Sequence, residues 1–137
     1  MRVLIIDDEA GILSTLSRHL ALQEIECVTC SSALDAIDKH DKELFPVIVS
    51  DIRMPEMTGI DVIKKVKAIH PSCIVFVMTG YSSMPYLLEC LELGAADYFT
   101  KPFKDIDFII KQISEGLHRY ERWMKDLVAT KRQKKVS

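Results

Sequence analysis

Three carboxylates, a hydroxyl and an amine share one kind of position in this 137-residue chain: each lies where an apolar run gives out. Arg2 to Ile6 (RVLII) ends in Asp7-Asp8-Glu9, Val47 to Ser50 in Asp51, Cys73 to Met78 in Thr79-Gly80, and Ala96 to Thr100 in Lys101-Pro102. In an open parallel sheet, ligands bind beyond the carboxyl ends of the strands. If the first, third and fourth of these runs are neighbouring strands, Asp7, Asp8, Asp51, Thr79 and Lys101 converge at one edge of the sheet. Carboxylates that crowded raise one another's pKa. They stay ionised with a hard divalent cation among them, and an all-oxygen donor set points to Mg²⁺ rather than zinc. Lys101 and the Thr79 hydroxyl then supply a positive charge and a donor. The whole is a receptor for a tetrahedral dianion, a phosphoryl group, with Asp51 placed to attack it. Plainer readings exist for each residue alone. Asp51 can cap the turn that Pro55 and Gly59 announce, Asp7-Asp8 can cap a helix, and Lys101 can be a solvated loop charge. The plain readings leave the convergence unexplained.

The elements that must hold these residues alternate. Strands are expected at Arg2–Ile6, Ile25–Cys30, Val47–Ser50, Cys73–Met78 and Ala96–Thr100; the first four are short and largely apolar, and the fifth is a short run between Gly94 and Lys101-Pro102. Between them lie helical patterns. One runs from Ala10 to about Leu22, with Ile12, Leu13, Leu16 and Leu20 as its stripe. A second, capped by Ser31 or Ser32, reaches about His40 with Leu34 and Ile37 inward. Thr58 caps a third, carrying Ile60, Val62, Ile63, Val66 and Ile69 and closed by Pro71. Ser82 or Ser83 caps a fourth, with Pro85 in its first turn and Gly94 as a left-handed stop. The last opens near Asp105. Strand–helix alternation predicts an α/β fold with a parallel sheet and right-handed crossovers.

Length and composition set bounds. The chain is long enough for one domain with a real core, and no apolar run approaches the ~20 residues a bilayer requires. The first ten residues do not form a signal peptide. Cys27, Cys30, Cys73 and Cys90 lie in apolar segments and are expected reduced and buried, which suits the cytoplasm. Cys27 and Cys30 are three apart on a strand, so they face opposite sides, and no second pair of metal ligands follows. Charge divides the chain: residues 1–110 hold 10 Lys+Arg and 17 Asp+Glu, whereas residues 111–137 hold 8 and 3.

Asp7-Asp8, the stretch DIRMPEMTG from Asp51, Thr79-Gly80 and GAADYFTKPF from Gly94 to Phe103 together resemble the receiver domain of two-component response regulators. The resemblance covers about residues 2–118, leaving 119–137 as a helical extension with a basic tail. It implies a doubly wound, flavodoxin-like sheet of strand order 2-1-3-4-5. It implies that Asp51 accepts a phosphoryl group from a histidine kinase, a phosphotransfer protein or a small phosphodonor. By the same resemblance Asp8 binds Mg²⁺ directly, Asp7 largely through water, and the backbone carbonyl of Arg53 completes the set with Asp51. Thr79 grips the phosphoryl oxygen, Lys101 pairs with it, the Lys101–Pro102 peptide is cis, and Tyr98 turns inward once Thr79 is recruited. Arg53 and Tyr81 are expected to flank the exposed side of the phosphoryl group. The surface to change is the fourth helix, from about Met84 to Leu93, with the fifth strand and the last helix.

An Asp-nucleophile, Mg²⁺-dependent phosphatase of the haloacid-dehalogenase type is the alternative. It places DxDx[TV] after the first strand, where this chain has IIDDEAG, and it needs a cap insertion for which no loop is long enough. Nucleic-acid binding would rest on the short tail TKRQKK, or on an output domain that does not follow the receiver here. The chain is expected to be either a single-domain regulator or the receiver end of a longer protein. The last helix carries Ile106, Ile110, Ile113, Leu117, Tyr120, Met124 and Leu127 at heptad spacing. A receiver needs only the first half, to about Leu117, to cover its sheet. The rest, through Tyr120, Trp123, Met124 and Leu127, can fold back on its own domain, fray, or pair with a second copy, and the heptad spacing favours pairing, with Gly116 permitting close approach.

Overall fold

The computed structural model describes residues 1–136, with side chains as far as Lys131. Five parallel strands form one sheet in the order β2-β1-β3-β4-β5: β1 Arg2–Ile6, β2 Glu26–Cys30, β3 Val47–Asp51, β4 Ile74–Thr79 and β5 Asp97–Thr100. The helices are α1 Ala10–Leu22, α2 Ala33–Lys42, α3 Gly59–Ile69, α4 Leu87–Glu92 and α5 Ile106–Val136. Among the described residues, no helix is long and apolar enough to cross a membrane.

Alternation along the buried strands builds two cores. Leu4, Ile6, Ile48, Val75 and Val77 face α2, α3 and α4, where Ala36, Val62, Val66 and Cys90 meet them. Val3, Ile5, Val49, Phe76 and Met78 face the other way, onto Leu16 and Leu20 of α1 and Ile109, Ile113 and Leu117 of α5. All five residues of β3 are buried, as a central strand covered on both faces requires. The cysteines are free thiols. Cys27 is half-buried, with its Sγ donating to Ser17 Oγ at 3.4 Å, while Cys30 joins the opposite core.

Helix starts follow local chemistry. Ser32 and Thr58 accept backbone N–H bonds from Asp35 and Asp61, and Asp105 accepts from Phe108 N–H at 3.1 Å. Gly94 takes φ +106° after α4, a backbone that side chains resist.

Three expectations need correction. Leu34 is 53% exposed; Ala33, Ala36 and His40 form the buried face of α2 instead. The fourth helix does not start at Ser82 or Ser83. Tyr81–Tyr86 is a 3₁₀ segment, and α4 proper covers only Leu87–Glu92. Pro85 lacks the N–H that would bond back to Tyr81, and Ser83 spends its hydroxyl on Gly80, so a regular α-turn does not form there. Gly116 is buried against the sheet: a Cβ there would come 3.2 Å from the Phe76 ring. It brings α5 close to its own domain, not to a second copy. The seam itself divides near Leu117: Ile110, Ile113 and Leu117 are buried on the sheet, whereas Trp123 and Leu127 beyond them are exposed. The side chains of the basic tail beyond Lys131 lie outside the described residues.

The amino end of the sheet has its own cluster. His40 Nδ1 accepts from the Phe45 N–H at 3.1 Å, and Cys73 Sγ donates to the Phe45 carbonyl at 3.2 Å. The rings of His40 and His70 lie 6.1 Å apart. His70 Nε2 meets the Tyr120 hydroxyl at 2.7 Å, which ties α5 to the end of α3 just past Leu117.

Candidate functional site

The strand order places the ends of β1, β3 and β4 side by side, and β5 follows β4 at the edge. Register sets the depth: Ile6 pairs with Ser50, Asp51 with Met78, and Thr79 with Thr100. Asp7 and Lys101 are the residues immediately after their strands, so all four functional positions lie within a residue of one level. After Asp51 the chain must turn sharply into α3. Gly59 makes this possible: its N–H donates to the Ile52 carbonyl at 2.6 Å. A Cβ on Gly59 would lie 2.8 Å from Ile52 Cα and 2.9 Å from the Asp51 carbonyl. The Lys101–Pro102 peptide is cis, and Lys101 N–H donates to the Thr79 carbonyl at 2.8 Å.

Lys101 is the hub. Its Nζ lies 2.6 Å from Asp7 Oδ2, 3.3 Å from Asp51 Oδ2 and 3.3 Å from Glu9 Oε1. Asp7 is fully buried and Asp51 nearly so. Asp7 Oδ1 accepts the Glu9 N–H at 2.9 Å. Burial pushes the Asp7 carboxyl above its usual range, against the hydrogen bond from Lys101. Burial does the same to Asp51, against the Lys101 charge and the Arg53 N–H. Desolvation alone would lower the Lys101 ammonium, but the hydrogen bond to Asp7 and the Asp51 charge outweigh it and raise it.

Two buried carboxylates thus share one ammonium, with exposed Asp8 and Glu9 adding further negative charge. One oxygen from each of Asp7, Asp8, Glu9 and Asp51 lies within 4.8 Å of the others. The donor set is oxygen-only, acidic and short of positive charge, so it is compatible with Mg²⁺.

Asp7, Asp8, Asp51 and Lys101 are therefore brought together. Thr79 is not joined to them. Its side chain is buried, and its hydroxyl meets Ser83 Oγ at 3.0 Å and the Gly80 carbonyl at 3.3 Å. Tyr98 is 40% exposed and points outward; Tyr81 is 98% exposed, and Arg53 is exposed as well. Two residues of the site were not singled out from sequence. Glu9 continues the Asp7-Asp8 run, and that run was its only signal. Ser83, one of two serines that the sequence offers as a helix cap, puts its hydroxyl on Thr79 instead.

A family model described as "Response regulator receiver domain" matches residues 3–114. Transcriptional regulatory protein ZraR of Klebsiella oxytoca is 35% identical over 115 residues, 84% of this chain and 26% of that protein. Sporulation initiation phosphotransferase F of Bacillus subtilis (strain 168) is 34% identical over 119 residues, 87% of this chain and 92% of that protein. The chain thus spans about a quarter of the length of the transcriptional regulators it matches. Among solved structures, a response regulator receiver domain protein from Clostridium thermocellum superposes with TM-score 0.83 at 25% identity, covering 89% of this chain and 98% of that one. The beryllofluoride-activated NtrC4 receiver domain dimer does so with TM-score 0.80 at 32% identity, covering 87% and 98%.

Proposed function

This chain belongs to the response regulator receiver domain family, and on that premise we propose that it is a phosphorylation-driven switch with Asp51 as its phosphoacceptor. One observation carries the reading. An Asp51 oxygen lies 3.3 Å from the Lys101 ammonium, inside a cluster of four acidic side chains at the carboxyl edge of the sheet.

An Asp51 oxygen attacks phosphorus while the P–N bond to a phosphohistidine breaks. The departing imidazole nitrogen keeps the electron pair and takes a proton. The donor is a histidine kinase or a phosphotransfer protein. Asp7, Asp8, Asp51 and the Arg53 carbonyl would hold Mg²⁺, which would supply charge neutralisation to the site during the transfer. Lys101 follows the charge from the Asp7–Asp51 pair onto a phosphoryl oxygen. The Thr79 hydroxyl turns to donate to a second, and Tyr98 moves inward behind it. Phosphorylation adds about −1.5 to −2 charge, and the surface of the 3₁₀ segment, α4, β5 and α5 reads it out. The chain acts on itself, in the reducing cytoplasm that its four free thiols suit. The exposed stretch from Trp123 to Val128 is the surface offered to a second copy.

Acetyl phosphate with Mg²⁺ should add one phosphoryl group, labile to base and hydroxylamine. Asp51→Asn should abolish it; normal labelling of that variant overturns the assignment. Sedimentation of the same samples, beside a chain ending at His118, tests the pairing. Monomers in every sample refute it.

A further inference from the structure

The Thr79 hydroxyl is already committed in this structure, and Ser83 is what commits it. Ser83 is 2% exposed. Its Oγ accepts the Gly80 N–H at 2.9 Å, meets Thr79 Oγ1 at 3.0 Å and lies 3.2 Å from the Gly80 carbonyl. A hydroxyl has one proton and two acceptor positions. The contacts close into a satisfied set. Gly80 N–H and Thr79 O–H fill the two acceptor positions of Ser83, and the Ser83 proton goes to the Gly80 carbonyl. The reverse sense between the two hydroxyls binds Thr79 equally. The 3₁₀ turn keeps Ser83 at this spot, four residues past Thr79 and two before Pro85.

We propose that Ser83 is a positioning residue that holds the Thr79 hydroxyl in the resting direction and thereby sets how readily the site accepts a phosphoryl group. The inference rests on Asp51 being the phosphoacceptor. Ser83 touches neither Asp51 nor any carboxylate of the cluster; it acts through Thr79. Recruiting Thr79 to a phosphoryl oxygen breaks one buried hydrogen bond, a contact of modest net strength but costly to leave unmade. The same break releases the 3₁₀ segment that leads into α4. The hold on Thr79 and the start of the output surface are therefore one contact. Removing the Ser83 hydroxyl leaves Thr79 only the longer bond to the Gly80 carbonyl, so the turn toward Asp51 becomes easier.

The test uses beryllofluoride with Mg²⁺, a non-covalent phosphoryl mimic, titrated calorimetrically into the full chain. Ser83→Ala should bind it roughly fivefold more tightly than wild type, the scale of one net hydrogen bond. Ser83→Thr, which keeps the hydroxyl, should return toward the wild-type value. In a Thr79→Ala background, Ser83→Ala should change nothing, because the coupling runs only through Thr79. Three-bond couplings to the Thr79 methyl carbon give a second readout without ligand: one χ1 rotamer in wild type, averaging in Ser83→Ala. Equal or weaker binding by Ser83→Ala, or the same gain in the Thr79→Ala background, overturns the proposal while Asp51 stands. A wild-type protein that binds no beryllofluoride overturns the Asp51 reading, and this inference with it.

Discussion

The two ends of the sheet both bury ionisable side chains, and they settle the resulting cost in opposite ways. At the carboxyl end burial pushes Asp7 and Asp51 toward their neutral forms, but the Lys101 ammonium opposes it through contacts of 2.6 and 3.3 Å. At the amino end the clustered groups His40, His70, Cys73 and Tyr120 are pushed toward their neutral forms with no such cation bonded to their side chains. Burial, then the neighbouring His70, lowers His40 to about 4. Burial lowers His70 too, lifts the Cys73 thiol to about 12 and raises the Tyr120 hydroxyl. Desolvation is common to both ends; the difference is a partner of opposite charge. Lys101 makes ionised carboxylates tolerable. Around His40 stand Phe45, His70 and, more distantly, Asp41, and its Nε2 has no hydrogen-bond partner among the described residues. An end that retains charge can exchange it with a ligand. An end that is neutral serves to fasten helices.

Removing the partner is the strongest way to break this contrast. Lys101→Ala leaves two buried carboxylates facing each other, and without Mg²⁺ it should cost about 4 kcal/mol of unfolding free energy. Mg²⁺ should restore part of that loss. A urea titration showing less than about 1 kcal/mol would mean that the carboxylates do not depend on the ammonium.

The neutral end is tested by acid. His40 has a folded pKa below its unfolded value, so between pH 6.5 and about 4 the unfolded chain takes up a proton that the folded chain refuses. Stability from this group is complete above pH 6.5 and is lost as pH falls through that window, by roughly 3 kcal/mol in all. His40→Asn can still accept the Phe45 N–H but does not titrate. The difference in unfolding free energy between wild type and variant should therefore shrink with acid by that amount. A constant difference would show that His40 carries no such penalty.

The smallest effect belongs to the link between the amino end and α5. Tyr120→Phe keeps the ring and deletes only the 2.7 Å contact with His70, a loss of about 1 kcal/mol. Hydrogen exchange should rise in α5 beyond Leu117 and stay unchanged around Asp51. Faster exchange at the carboxyl end would mean that the two ends are coupled after all.

Much of the carboxyl end was legible because its residues interrupt apolar runs. A charged side chain at the end of a buried strand has few places to go, so Asp7 and Asp51 announce themselves. The amino end was not legible. His40 lies in a polar stretch, DKHDK, and its burial depends on α2 rotating so that Ala33 and Ala36, not Leu34, face the sheet. Small residues let α2 come close, a preference that an apolar count misses.

By itself the sequence determined the alternation of strands and helices, the cap at Thr58 and the turn at Gly94, because each is a local matter of periodicity and backbone freedom. Only the tertiary structure decided which hydroxyl holds Thr79, where Gly116 faces, and that α4 begins at Leu87, four residues beyond Ser83. Those outcomes depend on which surface lies opposite. A serine that could cap a helix and a serine that could bind a neighbouring threonine have the same sequence, and packing chooses between them.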